Sequence, residues 1–153
     1  MKLFRNLGAV ICEDIRQEAN GKFILGGVFA GGMNLGSIPG SVRIGVFAEI
    51  EPTDVGTFTV KFRVIDGRKA AIVEGEIQFD VKNRKPFGLT LGPIPMAITS
   101  VGTLAFQWRR GSEKWETLKS IDVAHDPRLL AGRLSVSNAV PPSEQFPPSA
   151  PVS

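Results

Sequence analysis

Residues 57–80 read TFTVKFRVIDGRKAAIVEGEIQFD, and this stretch decides the class of fold that the sequence favours. Apolar and polar side chains alternate through both of its halves, which is the period of a half-buried β-strand. Asp66 and Gly67 lie between the halves. This dipeptide favours a two-residue turn because such a turn needs a positive φ at both central positions, which Asp and Gly adopt more readily than most residues. We therefore predict a β-hairpin in which Phe62 lies opposite Ala71 and the apolar side chains share one face.

Shorter runs with the same alternation lie on both sides of this hairpin. Asn20 and Gly21 mark a second hairpin turn near the start of the chain. Pro93 and Pro95 cannot donate to a strand ladder, so the strand that carries them is predicted to lie at an edge or to be bulged. The sequence thus predicts an all-β fold, a single antiparallel β-sandwich of about eight short strands. The six strands outside the central hairpin are predicted at residues 8–15, 22–29, 42–50, 89–98, 104–109 and 115–123.

The C-terminal stretch differs in composition from the rest of the chain. Residues 139–153 hold five of the 11 prolines, three serines and a single charged residue. Such a composition cannot bury enough apolar surface to offset the entropy of ordering, so we predict a disordered Pro/Ser-rich tail. A second interpretation is a short recognition segment around Phe146 in a polyproline II conformation. Residues 1–138 then form the β-sandwich domain, with a helical turn or two, capped by Asp126, near its end.

The composition is that of one soluble domain, with 42% hydrophobic and 22% charged residues in a chain of 153. A single Cys and a single His exclude an internal disulfide framework, a Cys-cluster zinc site and a multi-histidine metal site. No apolar run approaches the roughly 18 residues that a membrane span needs, and no secretory signal is recognisable at the start. We therefore expect a cytoplasmic protein that uses no metal and no cofactor and contacts no membrane.

The net charge is mildly basic and dispersed, with 18 Lys and Arg residues against 15 Asp and Glu residues. Each short basic cluster has an acidic residue near it, whereas a nucleic-acid binder usually carries a basic stripe with interleaved aromatic residues. Nucleic acid is therefore the less favoured partner, although dispersed charge does not exclude it.

Residues 12–29 read CEDIRQEANGKFILGGVF, in which a segment of Cys, Asp, Arg and Glu leads into Gly-Lys and then into Gly-Val before an aromatic residue. This pattern resembles the opening of a bacterial and phage-associated family of small β-sandwich proteins of unknown function. Residues 102–108, GTLAFQW, resemble the late element of that family, a glycine followed by an alternating strand. The resemblance covers most of residues 8–124. It implies a β-sandwich-like domain and no established activity.

The densest charged group lies around the first predicted hairpin and comprises Asp14, Arg16, Glu18 and Lys22. In an extended strand, Asp14, Arg16 and Glu18 share one face with Cys12. One interpretation is a partly buried ion network that fixes the register of the hairpin. The other is a polar site on one face of the sheet, where paired carboxylates could do acid–base work if their environments split their pKa values.

A second candidate binding patch consists of Trp115 with Arg109 and Arg110, next to a predicted turn. Exposed indole rings can stack on sugar rings or on bases, so this patch makes a carbohydrate- or nucleic-acid-binding sandwich an alternative function. Trp108 continues the apolar face of the neighbouring strand and is predicted to lie in the core.

Cys12 is the candidate for nucleophilic chemistry, and it would need His125 as its base. A small enzyme that uses Cys12 or Asp14 with His125 is therefore a further alternative, although nothing in the sequence brings these residues together. Residues 26–40 are rich in glycine and are predicted to form a long flexible connection that contacts a partner. The function that we favour is a non-catalytic binding or assembly module that contacts protein or a second copy of itself. A homodimer is compatible with the edge strands of a sandwich.

Overall fold

The computed structural model describes residues 4–129, in which nine β-strands form two sheets packed against each other. This confirms the predicted all-β sandwich, with one strand more than the sequence indicates. The tail at residues 139–153 and the end of the predicted helical segment lie outside the described residues. The strands are β1 (Phe4–Gln17), β2 (Phe23–Val28), β3 (Gly32–Leu35), β4 (Gly40–Pro52), β5 (Gly56–Ile65), β6 (Ala71–Val81), β7 (Phe87–Ile98), β8 (Gly102–Arg109) and β9 (Glu116–His125).

The two sheets differ in size and in the strands that form their edges. The four-stranded sheet has the order β2-β1-β4-β7, and the five-stranded sheet has the order β3-β9-β8-β5-β6. Neighbouring strands run antiparallel except β3 and β9, which pair in parallel. The strand with Pro93 and Pro95, β7, lies at an edge, and its register against β4 shifts between Ile44 and Val46. Both features agree with the sequence prediction.

The strand that the sequence does not reveal is β3, which lies within residues 26–40. The expectation of a flexible connection is wrong for Gly32–Leu35, because these residues pair with residues 122–125 of β9. Met33 is 2% exposed and packs into the larger core cluster, which holds this short segment in place. Four residues next to several glycines carry too little alternation to be recognised as a strand.

The hairpin of β5 and β6 forms as predicted, but its turn is longer. The Asp66 carboxylate accepts hydrogen bonds from the backbone N–H of Arg68 at 2.9 Å and from that of Ala70 at 3.0 Å. The backbone N–H of Asp66 also donates to the carbonyl of Ala70 at 3.0 Å. These bonds close a loop over residues 66–70, so the predicted two-residue turn is wrong. A side chain that satisfies nearby backbone groups can stabilise such a loop in place of the tighter turn.

The longer loop changes the register of the hairpin but not its faces. Phe62 pairs with Gly75, whereas the two-residue turn predicts Ala71 as its partner. The loop by itself, with Ile65 opposite Ala71, would place Phe62 opposite Glu74. A bulge between Val64 and Ile65 adds the residue that makes the displacement even, so each side chain keeps its side of the sheet. Val60 and Val64 are each 2% exposed, as the alternation predicts for core positions.

The first hairpin, between β1 and β2, also has a longer turn than its Asn-Gly dipeptide predicts. Gln17 pairs with Phe23, so residues 18–22 form the connection. The side-chain oxygen of Asn20 accepts a hydrogen bond from the backbone N–H of Lys22 at 2.9 Å. Local side-chain bonding therefore decides the length of both turns.

The outer part of this hairpin bends back over the four-stranded sheet. Val10 pairs with Phe47, and Gln17 lies seven residues further along the same strand, about 23 Å away if the strand were straight. Yet the ring of Phe23, the partner of Gln17, lies 5.0 Å from the ring of Phe47. Only a bend in the hairpin brings these rings together. We call residues 13–27 the arm, and it covers the outer face of the sheet.

Two glycines make room for the arm. A Cβ atom at Gly45 would lie 2.8 Å from the Ile15 Cδ1 atom, and a Cβ at Gly88 would lie 2.6 Å from a ring carbon of Phe47 and 3.1 Å from one of Phe23. Carbon atoms in contact normally lie about 3.5–4.0 Å apart, so a side chain at either position would displace its neighbours. The arm can therefore pack closely on the sheet only because Gly45 and Gly88 have no side chains.

The core between the sheets consists of two clusters. The smaller one is aromatic, with the ring of Phe4 5.6 Å from that of Phe58 and 5.5 Å from that of Trp108. Trp108 is 4% exposed, which confirms its predicted place in the core. The larger cluster is mainly aliphatic and contains Ile11, Met33, Ile44, Val46, Val64, Leu91, Met96, Ile98, Leu104, Phe106, Ile121 and Val123.

Candidate functional site

The predicted charged group lies on the arm, where Asp14 is half-buried and Arg16, Glu18 and Lys22 are exposed to solvent. Arg16 and Asp14 form an ion pair at 2.7 Å, with 75% and 44% of their side chains exposed. Glu18 accepts a hydrogen bond from the side-chain amide of Asn20 at 3.2 Å. The expectation of a partly buried ion network that fixes the register is therefore wrong. The ion pair joins residues of one strand, so it cannot select the partner of that strand, and exposed pairs contribute little stability.

The enzyme alternative requires Cys12 or Asp14 to meet His125, and all three have separate partners, that of Asp14 being Arg16. Cys12 is fully buried in the four-stranded sheet, and its thiol donates to the carbonyl of Gly45 at 3.8 Å. Burial is the main cause that raises the pKa of the Cys12 thiol above its usual value. His125 is exposed at the end of β9, where its Nε2 atom lies 3.2 Å from the carbonyl oxygen of Gly36. The structure therefore gives neither residue the contact that would activate the thiol.

The second predicted patch is partly assembled on the outer face of the five-stranded sheet. The ring of the half-buried Trp115 lies 4.5 Å from the guanidinium carbon of Arg109 and 4.2 Å from that of Arg63. Both distances are within the range in which a cation is attracted to an aromatic face. We call Arg63, Arg109 and Trp115 the Trp115 cluster. Arg63 is the member that the sequence analysis does not identify.

Hydrogen bonds across three strands hold the cluster in position. Arg63 on β5 donates through Nε to the side-chain oxygen of Gln107 on β8 at 2.9 Å. Gln107 in turn donates to the hydroxyl of Thr117 on β9 at 3.1 Å. The Nε atom of Arg109 is buried and has no hydrogen-bond partner among the described residues. Arg63 is therefore held by the sheet beneath it, and Trp115 is held in turn by its contacts with Arg63 and Arg109. The arrangement leaves one unpaired donor on Arg109, which is unfavourable.

Arg110, the third residue of the predicted patch, points away from Trp115. Its guanidinium carbon lies 5.8 Å from the ring centroid of Phe58. Arg110 also lines a small cleft of about 50 Å³, open to solvent, at the same end of the sandwich. The other residues that line this cleft are Phe4, Val60, Trp108, Arg109, Glu113, Lys114 and Glu116. The structure thus places Arg110 beside the Trp115 cluster rather than in it.

The edge strand next to the cluster carries acidic side chains. Glu74, Glu76 and Asp80 alternate along β6 and are exposed, and β6 contains no Lys or Arg. We call these three residues the acidic row. Lys61 and Arg63 pair with Glu76 and Glu74 across the β5–β6 ladder, so the face of this sheet passes from basic to acidic towards its edge.

Two further kinds of site can be assessed within residues 4–129. No group of three or more His, Cys, Asp and Glu residues in this range is arranged to hold a metal ion. No helix in the described part of the chain is long and apolar enough to cross a membrane.

No protein-family model matches this chain, and no curated protein matches it. Among solved structures, one that resembles it is a β-glucosidase from Erythrobacter marinus, with a TM-score of 0.35 and 11% sequence identity. The likeness covers 79% of this chain and 15% of the β-glucosidase, so the chain spans a small part of that enzyme's length. A likeness at this level carries no inference about activity, and the family resemblance of the first hairpin stays a prediction.

Proposed function

We propose that this protein is a non-catalytic binding module for another protein chain and that the Trp115 cluster is the centre of its contact surface. The observation that carries the proposal is a half-buried indole held by two guanidinium groups on the face of a sheet. Trp and Arg are the residues that most often dominate the binding energy of protein interfaces. An aromatic side chain that is already fixed loses little conformational entropy when a partner binds.

The surroundings of the cluster favour a protein over the other ligand classes. Arg63 and Lys61 lie opposite Glu74 and Glu76, so cationic and anionic groups share the same face. A surface of mixed sign suits a protein partner, whereas nucleic acid requires a basic stripe along its phosphates. The indole of Trp115 is already in contact with two guanidinium groups, which leaves less of its ring for stacking on a sugar or a base.

The environment of the single thiol supports a non-catalytic role. Reactive cysteines are partly exposed and have lowered pKa values, whereas Cys12 is fully buried and the pKa of its thiol is raised. Its thiol donates a hydrogen bond to the backbone carbonyl of Gly45, whereas the ring of His125 lies against the carbonyl of Gly36. We further propose that the protein acts in the cytoplasm, where an unpaired cysteine is usual.

The test compares the proteins captured from host-cell lysate by the full chain and by three variants. Trp115→Ala and Arg63→Ala should lose specific partners, whereas Lys119→Ala, at an exposed position of β9 outside the cluster, should keep them. Each variant is first checked for an unchanged fold by circular dichroism. The same partners on all four chains would contradict the proposal.

Three further measurements separate the alternatives that remain open. Saturable quenching of tryptophan fluorescence by oligosaccharides or oligonucleotides would replace the proposal with a carbohydrate- or nucleic-acid-binding function. Sedimentation velocity on the wild type and Trp115→Ala would show whether the partner is a second copy. Capture with a chain that lacks residues 139–153 tests the other interpretation of the tail, and an unchanged set of partners would show that the tail is not the recognition element.

A further inference from the structure

The edges of the two sheets differ in how well they are protected from further strand pairing. An edge strand exposes unpaired backbone N–H and C=O groups, and proteins usually shorten, kink or interrupt it. The edge strand β3 has four residues, and β2 has six and contains Gly27 at a φ of 62°. The third, β7, carries Pro93 and Pro95, which lack the N–H group that pairing requires.

The fourth edge strand, β6, is irregular only at its first residues, where its register against β5 shifts between Val64 and Ile65. It comprises the 11 residues Ala71–Val81, contains no proline and pairs with β5 alone. Its pairing with β5 is continuous from Val81 opposite Gly56 to Val73 opposite Val64. A regular strand of this length can accept another strand along its free edge.

The acidic row makes a second copy of this chain a poor occupant of that edge. A two-fold axis near Gly75 would place Glu74 opposite Glu76 of the second copy, and an axis near Ile77 would place Glu74 opposite Asp80. An axis at Glu76 would set that residue against itself. Like charges directly opposite each other on neighbouring strands are destabilising, so antiparallel self-pairing in these registers is disfavoured.

The glutamates of the row remain available to an incoming cation. Neither Glu74 nor Glu76 forms an ion pair with any residue in the described part of the chain. Arg63, which lies opposite Glu74 on β5, is engaged with Gln107 and with the ring of Trp115. Lys61 lies opposite Glu76 but forms no ion pair with it, so neither glutamate is held by an ion pair within the described part of the sheet.

The inner face of β6 adds an apolar requirement. Ile77 and Phe79 are only partly buried and pack against the core clusters, with the ring of Phe79 6.0 Å from that of Phe87 on β7. A strand added beyond β6 would place alternate side chains beside them and cover the apolar surface that they still expose. The other side chains of that strand would lie next to the acidic row.

We propose that β6 pairs with an extended basic segment of a partner protein in which Lys or Arg alternates with aliphatic residues. Backbone hydrogen bonds to the free edge supply part of the affinity, and the alternation of charge and apolar side chains supplies the specificity. The interaction uses an edge and not the Trp115 cluster, so it goes beyond the proposed function, although both assume a protein partner.

The experiment uses the full chain and fluorescein-labelled eight-residue peptides with blocked ends. One peptide alternates Lys with Val, one alternates Glu with Val, and one alternates Lys with Gly to reduce the preference for a strand. Fluorescence anisotropy should show that only the Lys/Val peptide of the three binds, and its affinity should fall as salt is added. Hydrogen exchange with that peptide present should slow at the amides of β6 and remain unchanged in β7.

Charge reversal on the edge supplies the matched variants. The Glu74→Lys/Glu76→Lys variant should bind the Lys/Val peptide with an affinity about tenfold or more lower than that of the wild type, because two favourable charge pairs become repulsive. The same variant should bind the Glu/Val peptide instead. Glu49→Lys/Asp122→Lys makes the same change in net charge at exposed positions on other strands and should bind like the wild type.

Several results would overturn the inference. One is that both double variants bind the Lys/Val peptide with equal affinity. Another is that hydrogen exchange with this peptide slows at amides away from β6. The third is that the wild type does not bind the peptide up to about 1 mM, the limit of weak specific association. A wild-type dimer whose formation protects β6 would make a second copy the occupant instead. The Trp115→Ala variant should still bind the Lys/Val peptide, so failure at this edge and failure of the proposed function can be told apart.

Discussion

Gly88→Ala tests whether the arm is seated on the four-stranded sheet as closely as the structure indicates. The added methyl carbon would lie 2.6 Å and 2.9 Å from two ring carbons of Phe47 and 3.1 Å from one of Phe23. Neither ring can move freely, because the two rings pack on each other with centroids 5.0 Å apart. Overpacking of this kind typically destabilises a protein by about 1–3 kcal/mol.

The measurement is urea unfolding at neutral pH, followed by the fluorescence of the buried Trp108. With a slope of about 2 kcal/mol per molar urea, the expected loss lowers the midpoint by about 0.5–1.5 M. Gly8→Ala is the matched control, because nothing lies within 4 Å of a Cβ at that position. The control should be as stable as the wild type or slightly more stable, since alanine restricts the unfolded chain.

A double-mutant cycle identifies the contact that is responsible. Phe23→Leu removes the ring of the arm, which has a carbon 3.1 Å from the new methyl group and confines the ring of Phe47, so Gly88→Ala should be less harmful in that background by about 0.5 kcal/mol or more. If Gly88→Ala is as stable as Gly8→Ala, or if the two changes add without coupling, the arm does not rest on Phe47. The bend inferred for the first hairpin would then be refuted.

Two further predictions concern single titratable groups. Hydrogen bonds to the Asp66 carboxylate, above all the one from the backbone N–H of Ala70, lower the pKa of Asp66 in the folded protein. A carboxyl group whose pKa is lowered by folding stabilises the fold at pH values above its unfolded pKa. That contribution is lost as the pH falls through the folded pKa. Asp66→Asn should therefore lower the urea midpoint at pH 7, and the difference from the wild type should shrink below about pH 4; a difference that is constant with pH would contradict this. Because burial raises the pKa of the Cys12 thiol, an aromatic disulfide reagent should label the folded chain much more slowly than the unfolded chain, and equal rates would show that the thiol is accessible.

The all-β fold and most core positions could be predicted because alternation along one strand is a local property. Val60, Val64 and Trp108 are buried for the reason that the pattern gives, namely that a half-buried strand turns every second side chain inward. The lengths of the turns could not be predicted from the Asp-Gly and Asn-Gly dipeptides alone. In both turns the side chain of Asp66 or Asn20 accepts backbone hydrogen bonds and stabilises a longer loop.

The candidate site could be predicted only in part because it combines residues that are distant in the sequence. Arg109 and Trp115 flank one turn, and the structure brings them together. Arg63 joins them through the pairing of β5 with β8, whose partners no local pattern reveals. The charged residues near Asp14 could be recognised as a cluster from the sequence. Their exposure could not be predicted, because it follows from the bend of the arm, which depends on contacts with distant strands.

The β5–β6 hairpin keeps its faces although its turn is longer than its sequence suggests, and this restricts how the loop can change in evolution. Inserting or deleting two residues between Ile65 and Ala71 would move the partner of Phe62 along β6 and leave Ile77 and Phe79 facing inward. Inserting or deleting one residue would turn those side chains to solvent and bring Glu74 and Glu76 against the core. Natural variants of this loop should therefore differ in length by even numbers, unless a compensating bulge accompanies an odd change.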